Sequence, residues 1–495
     1  MIARARFVRT KFALLAGALT SAALIAASPL GAQGVATISA SDKQQGAQAN
    51  PQLIAEFGGA VSGPQAAYVE SVGKNIAVRS GLSGARDDFT VTLLNSSVDN
   101  AFAVPGGFVY VTRQLVALMN NEAELAGVLG HEVGHVAARH AAKRQSAQTR
   151  NSILGVLGQV LAGAVLGNSQ AGQLGQQIFS QGSQLLTLKF SRSQETEADN
   201  LGISYLRSAG YDPRAMSTVL QNLANQNALN SRLLGQSGSQ VPAWASTHPD
   251  PASRVRAALV RAGPSATGIT NRDTFLSRID GLTYGDDPRQ GIAEGRNFVH
   301  PEFRFKFSAP SGFYLMNGTS AVSITGQSGK GQLTTAAYNG DLDTYVRRAF
   351  AGLVDTSQGQ AALAPSSISR TTVNGLPAAY GSARVNSGNG QVDVVVFAYE
   401  FSRSQAFHFV TISQAGSSAA FNPMFASMQR ISASEAAAVR PRHLAVVTVR
   451  SSDTVQSLAA RMAYSDAKLE RFLVLNGLTA TSRLSAGQRV KIVSY

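Results

Sequence analysis

Leu125, Val128, Leu129, Val133 and Val136 recur at the three- and four-residue intervals of one helix face. Asn121 is placed to cap that helix, and Glu124 three residues on completes a capping-box-like start. The pattern predicts a half-buried helix, with Glu122 and Glu124 as favourable charge at its N-terminus. Just upstream, Phe108-Val109-Tyr110-Val111-Thr112 is β-rich and comes after a Pro105-Gly106-Gly107 turn. It fits a strand with an exposed edge that receives an extended peptide, or a buried core strand. A second helix is expected after Phe190-Ser191-Arg192, with Leu201, Tyr205 and Leu206 apolar and Gly210 near its end.

From Phe298 the texture turns to short alternating runs. Phe303 to Phe307, Ala321 to Thr325, Gln391 to Phe401 and Ala406 to Ser413 read as strands, Leu342 to Leu353 and Asn422 to Ile431 as helices. His300 and His408 stand alone there and read as structural. The last stretch, from about His443, has the order strand, helix, helix, strand. The fold class expected is multidomain α+β: a mainly helical region with a small sheet over 45–262, a connector over 263–296, an α+β accessory domain over 297–435, and a βααβ module over 443–495.

At 495 residues the chain is long enough for about three domains. Its first residues form a leader: Arg4, Arg6, Arg9 and Lys11 precede an apolar run from Phe12 to Ala27, and small residues end at Ala32. Residues 1–32 therefore read as an export signal cleaved after Ala32, or retained as an anchor. Removing it lowers the formal charge from +14 to +10. That excess favours an anionic surface such as an outer membrane or cell wall. The cations are scattered rather than clustered, and nucleic-acid binding is not expected of an exported chain. With no cysteine, disulfides, thiolate ligands and a lipid-modified cysteine are all excluded. The apolar run from Ile153 to Gly167 is short for a membrane span. With the Gln/Gly/Ser-rich run after it, it reads as a helical hairpin: a flap over a cleft, a membrane-surface contact, or ordinary packing.

The chemistry lies on the first helix. His131-Glu132-Val133-Gly134-His135 is H-E-x-x-H, which sets two imidazoles one turn apart on one face, able to share a zinc ion. Glu132 between them can take the proton of a zinc-activated water. A catalytic zinc needs a third protein ligand. Glu195 and Asp199 share a face at i, i+4, whereas Glu197 points elsewhere. Glu195 is assigned to the metal, Asp199 to an imidazole N–H behind it, and Glu197 to solvent.

Together these residues resemble the HtpX-like and BepA-like gluzincin metallopeptidases, relatives of the CAAX prenyl proteases. Asn100-Ala101-Phe102-Ala103-Val104-Pro105-Gly106-Gly107-Phe108-Val109-Tyr110-Val111 is similar to that family's strand motif, and Glu195-x-x-x-Asp199 to its E-x-x-x-D helix. The resemblance implies one zinc per chain on His131, His135 and Glu195. Ser246-Thr247-His248-Pro249 with Arg254 resembles a further family loop. In some periplasmic relatives such a histidine blocks the zinc until substrate arrives. For His248 a latch, a transition-state hydrogen-bond donor and a loop residue held rigid by Pro249 and Pro251 stay open. Arg254 either stabilises an oxyanion or pairs with a carboxylate. The terminal stretch resembles a LysM module through Asp453-Thr454-Val455, Leu473-Val474-Leu475-Asn476 and Leu484-Ser485-Ala486-Gly487-Gln488. That implies peptidoglycan as a partner, although Ser452 stands where the motif has glycine.

The function expected is an exported, periplasmic zinc endopeptidase acting on misfolded or misassembled envelope proteins, with an outer-membrane surface as a further contact. The alternative is a latched or relic protease that serves as an envelope- or peptidoglycan-binding or chaperone-like protein.

Overall fold

The structure, a computed structural model, describes residues 37–141, 190–233, 248–354, 362–387 and 390–495. The leader, the apolar run after residue 153 and residues 244–247 lie outside them.

Two helices, α1 (Ala40–Glu56) and α2 (Pro64–Ala77), lead into strands β1 (Thr90–Leu94), β2 (Ala101–Val104) and β3 (Phe108–Thr112). The strand order is β1-β3-β2, with β1 parallel and β2 antiparallel to β3. β3 is therefore the central strand, and the exposed edge considered for it belongs to β2. A parallel partner from earlier in the chain is the reason. A short helix, α3 (Arg113–Leu118), then turns the chain into α4 (Glu122–Ala137), the H-E-x-x-H helix. Asn121 caps α4 by accepting the Glu124 N–H at 2.9 Å. The helix is buried on every side from Glu122 to His135, not on one face as expected. It is enclosed by α2, β2, α5 (Arg192–Ser208) and α6 (Ala215–Leu233).

Polar side chains line this helix inside the core. Glu122 accepts from Tyr68 at 2.6 Å, Tyr211 at 2.7 Å and Asn271 at 2.8 Å, so it is an internal acceptor rather than a surface charge. Small residues set the α4–α5 crossing. A Cβ on Gly202 would sit 3.1 Å from the backbone nitrogen of His131, and one on Gly134 3.2 Å from the Ala198 carbonyl oxygen. Two helices meeting backbone to backbone bring their motifs within reach of one another. Then come α7 (Pro251–Ala262), α8 (Arg272–Ile279) and the short strand β4 (Thr283–Tyr284).

The next region holds two sheets. β5 (Ile292–Glu294), β6 (Asn297–His300) and β7 (Phe305–Ser308) join β15 (Gln429–Arg430) in the order β15-β7-β6-β5. β8 (Phe313–Asn317), β9 (Val322–Gly326), β10 (Gly329–Thr335), β11 (Ile368–Val373), β12 (Leu376–Ser387), β13 (Gly390–Ser402) and β14 (Gln405–Gln414) form the larger sheet. Helix α9 (Leu342–Ala351) packs on β12 and β13, and α10 (Asn422–Ser427) on β7. Phe298, Phe305, Phe307, Phe409 and Phe421 fill one core. His300 and His408 sit here without a carboxylate partner among the described residues; Nδ1 of His408 lies 2.9 Å from the Tyr345 hydroxyl.

The last region is β16 (Arg442–Thr448), α11 (Val455–Ala460), α12 (Lys468–Leu475) and β17 (Arg489–Ser494), with β16 and β17 antiparallel. β16 also pairs with β4. Its apolar residues Leu444, Leu458, Phe472 and Ile492 join one core with Val116, Leu125 and Leu206 of the helical region. The segment 263–296, expected as a connector, supplies Phe275 and Leu276 of α8 to that same core. Among the described residues, no helix is long and apolar enough to cross a membrane.

Candidate metal centre

His131 and His135 leave one face of α4, and Glu195 enters from the first turn of α5. His248 comes from the residues just before α7. Ligand atoms of these four buried side chains all lie within 4.8 Å of one another. Nε2 of His131 is 3.0 Å from Nε2 of His135 and 3.3 Å from Nδ1 of His248. The Glu195 carboxylate lies 3.1 Å from His248, 3.4 Å from His135 and 3.6 Å from His131. Imidazole nitrogens and carboxylate oxygens bound at about 2.0–2.2 Å around a tetrahedral zinc stand roughly 3.3–3.5 Å apart. The donor set therefore fits such an ion in kind and in spacing.

Each histidine of the motif is held from behind. Nδ1 of His131 lies 2.9 Å from Asp199, which leaves Nε2 for the centre. Asp199 is gripped in turn by Arg254, whose Nε and Nη2 donate at 2.7 and 2.5 Å, while Nη1 donates to Glu195 at 2.5 Å. Of the two roles open for Arg254, the geometry has it pairing with carboxylates.

His135 has a different support, which sequence reasoning missed. Its Nδ1 lies 2.9 Å from Nδ1 of His140, and Nε2 of His140 lies 3.1 Å from Glu197. Glu197 faces outward as expected, yet it meets this inner histidine. Seven histidines in the chain, three of them within 131–140, were the available signal.

Electrostatics sort the roles. Burial pushes the His135 imidazole well below its ordinary range, so it stays neutral, as a ligand must. Burial would raise Glu195, but His248 above all, with His135 and His131, draws its pKa far down. For His248 burial works against the proton, yet the Glu195 and Glu132 carboxylates hold its pKa above the usual value. Glu132 is pushed up by desolvation, the direction that suits a proton acceptor at neutral pH. Its Oε1 is buried without a hydrogen-bond partner among the described residues, 3.5 Å from Nε2 of His248.

A buried H-E-x-x-H helix, crossed closely by an E-x-x-x-D helix that completes its donor set, is the arrangement that a zinc metallopeptidase requires. Residues 64–262 match peptidase family M48. Over 248 residues the chain is 37% identical to the beta-barrel assembly-enhancing protease of Yersinia pestis, covering 49% of this chain and 47% of that one. The protein of the same description from Escherichia coli K12 is 32% identical over 216 residues, 43% and 42% of the two chains. Mitochondrial metalloendopeptidase OMA1 of Schizosaccharomyces pombe is 33% identical over 218 residues, 43% and 59%. The chain spans about half the length of the curated relatives it matches.

Proposed function

We propose that this protein is an exported zinc endopeptidase that cleaves polypeptides in a bacterial envelope, misfolded or misassembled envelope proteins among them. The convergence of His131, His135 and Glu195 on one point, with the buried Glu132 carboxylate beside it, carries the reading. His131, His135 and Glu195 would hold the metal. When bound, zinc supplies a Lewis acid that polarises the scissile carbonyl and acidifies water. Glu132 takes the proton from the attacking water and returns it to the leaving amine. Asp199 and Arg254 fix the His131 ring and the Glu195 carboxylate; His140 fixes His135. An extended substrate lies along the outer edge of β2, unpaired among the described residues, on a strand that packs on α4.

His248 sits where a fourth donor would, and this favours the latch over the transition-state donor: the enzyme is restrained until the loop moves. The leader and the similarity to the beta-barrel assembly-enhancing proteases support a periplasmic setting. The βααβ module is read as LysM-like, with peptidoglycan as its partner. Pull-down of the full chain on sacculi tests that; no retention would remove glycan from the account.

For the activity itself, the purified chain should bind one zinc and degrade casein, lose both with a chelator, and regain both with zinc. Stoichiometric zinc without any degradation would overturn the endopeptidase and leave a latched or relic binding protein.

A further inference from the structure

Lys491 lies on β17 among Val490, Ile492 and Val493, and it is fully buried. An ammonium group in an apolar core is costly unless its donors are satisfied, and an aliphatic side chain would fill the same space at less cost. Its presence there asks for a reason.

Nζ of Lys491 donates to the carbonyls of Ala117 at 2.7 Å and Met119 at 2.5 Å. These close the C-terminal end of α3, where a helix leaves carbonyls without partners and favours a cation. The same few residues start α4. The Asn120 N–H donates to Glu124 at 2.7 Å, the Asn120 carbonyl accepts from Arg272 at 2.8 Å, and Thr218 donates to Glu124 at 2.8 Å. Arg272 also donates to the Arg489 carbonyl at 2.9 Å, tying the turn to β17 a second time. Gly477 comes close as well: a Cβ there would lie 3.0 Å from Asn222 and 3.2 Å from Asn120. The backbone polar groups at this turn are thus held by side chains from β17, α8 and α4, and Thr218 of α6 steadies the Glu124 carboxylate among them.

This turn sets the start of the helix that carries the metal ligands. Glu124 is seven residues before His131, about 10 Å along a continuous helix, so a displaced start is transmitted to the ligands. A misplacement of about 1 Å can cost on the order of 10²-fold in rate.

We infer that Lys491 is a positioning residue for the metal centre, and that the βααβ module is a brace built into the peptidase rather than a tethered appendage. Its role in catalysis rests on the endopeptidase reading above. Buried Lys491 and Glu124 form the two sides of the brace, with the α3–α4 turn between them.

The test uses the full chain. Lys491→Met keeps the length and apolar stem but removes the donors. Assayed well below its melting temperature, it should lose about tenfold or more in kcat with KM little changed, and bind zinc about tenfold more weakly in chelator competition. Lys491→Arg, which retains charge and donors, should recover part of both. Arg471→Ala removes contacts within the same module, to Asp466 and to the face of Tyr464, away from the turn. It should lower the melting temperature and leave kcat and zinc affinity alone. If Lys491→Met lowers only the melting temperature, as Arg471→Ala does, Lys491 is a core staple and the inference is overturned.

If Lys491→Met does not fold, Lys491→Arg decides. A change in zinc affinity at constant melting temperature supports positioning; a changed melting temperature at constant affinity refutes it. Zinc affinity is read without hydrolysis, so a wild-type chain that binds zinc and cleaves nothing sinks the endopeptidase reading without deciding the role of Lys491.

Discussion

Two regions of this protein bury histidine, and they do so to opposite ends. In the sheet region His300 and His408 lie in aromatic surroundings with no carboxylate beside them among the described residues, and burial drives the pKa of each down to about 4. They are neutral, apolar-sided core residues. In the helical region His131, His135, His140 and His248 are as deeply buried, but Glu195, Glu132, Asp199 and Glu197 meet them ring by ring. Burial alone makes an inert imidazole. Burial answered by converging carboxylates makes a cation site, because the acids contribute the charge that the enclosed ion would need.

The contrast can be broken most sharply at its centre. Glu195→Ala should lose zinc and hydrolysis together, read by metal analysis and casein cleavage. Glu132→Gln should keep zinc while hydrolysis falls by at least ~10²–10⁴-fold, since an amide accepts no proton. Full turnover in that variant would place the general base elsewhere. The supports come next. Asp199→Ala and His140→Ala should each cost about 10–100-fold in zinc affinity or activity. Glu197→Ala would be silent if that side chain met only solvent; through His140 it should weaken zinc in the same direction by less. His248→Ala should raise basal proteolysis; a fall would make it a transition-state donor instead.

The smallest effect on hydrolysis belongs to the other side of the comparison. For His300 and His408 the folded pKa is below the unfolded value of about 6.5, so the unfolded chain takes up protons first. Their contribution is complete above about pH 6.5 and is lost as pH falls towards 4, by at most about 3 kcal/mol each. Acid unfolding monitored by aromatic fluorescence should show this, and replacing His408 by Gln should flatten it.

The side chains of the candidate centre were legible because helical periodicity is local. His131 with His135, and Glu195 with Asp199, declare a shared face within five residues of sequence. His140 was not legible for an equally local reason. The helix stops at Ala137, Arg139 takes a left-handed backbone with φ 53°, and the chain folds His140 back beneath His135. No periodic rule extends through such a turn. The central place of β3 depended on a parallel partner, which no run of residues announces. The role of Lys491 was not legible, since nothing near it in sequence points to Ala117 or Met119. In the sheet region β13 and β14 show in their long β-branched and aromatic runs, whereas β5, β6, β8 and β10 to β12, polar or short, give no such signal.

The glycine crossing of α4 and α5 has a consequence for how such a chain can diverge. Where side chains space two helices, every change of volume shifts the gap, and inherited substitutions must be matched in pairs. Here main chain meets main chain at Gly130, Gly134 and Gly202, with 3.5 Å between the Cα of Gly202 and the place a Cβ on Gly130 would take. Gly134 and Gly202, where a Cβ would stand 3.2 and 3.1 Å from the backbone of the other helix, are frozen, and the surrounding apolar residues carry less of the spacing. Lineages can exchange Leu, Val and Ile through the rest of the core while the distance between the two motifs stays where the backbone puts it.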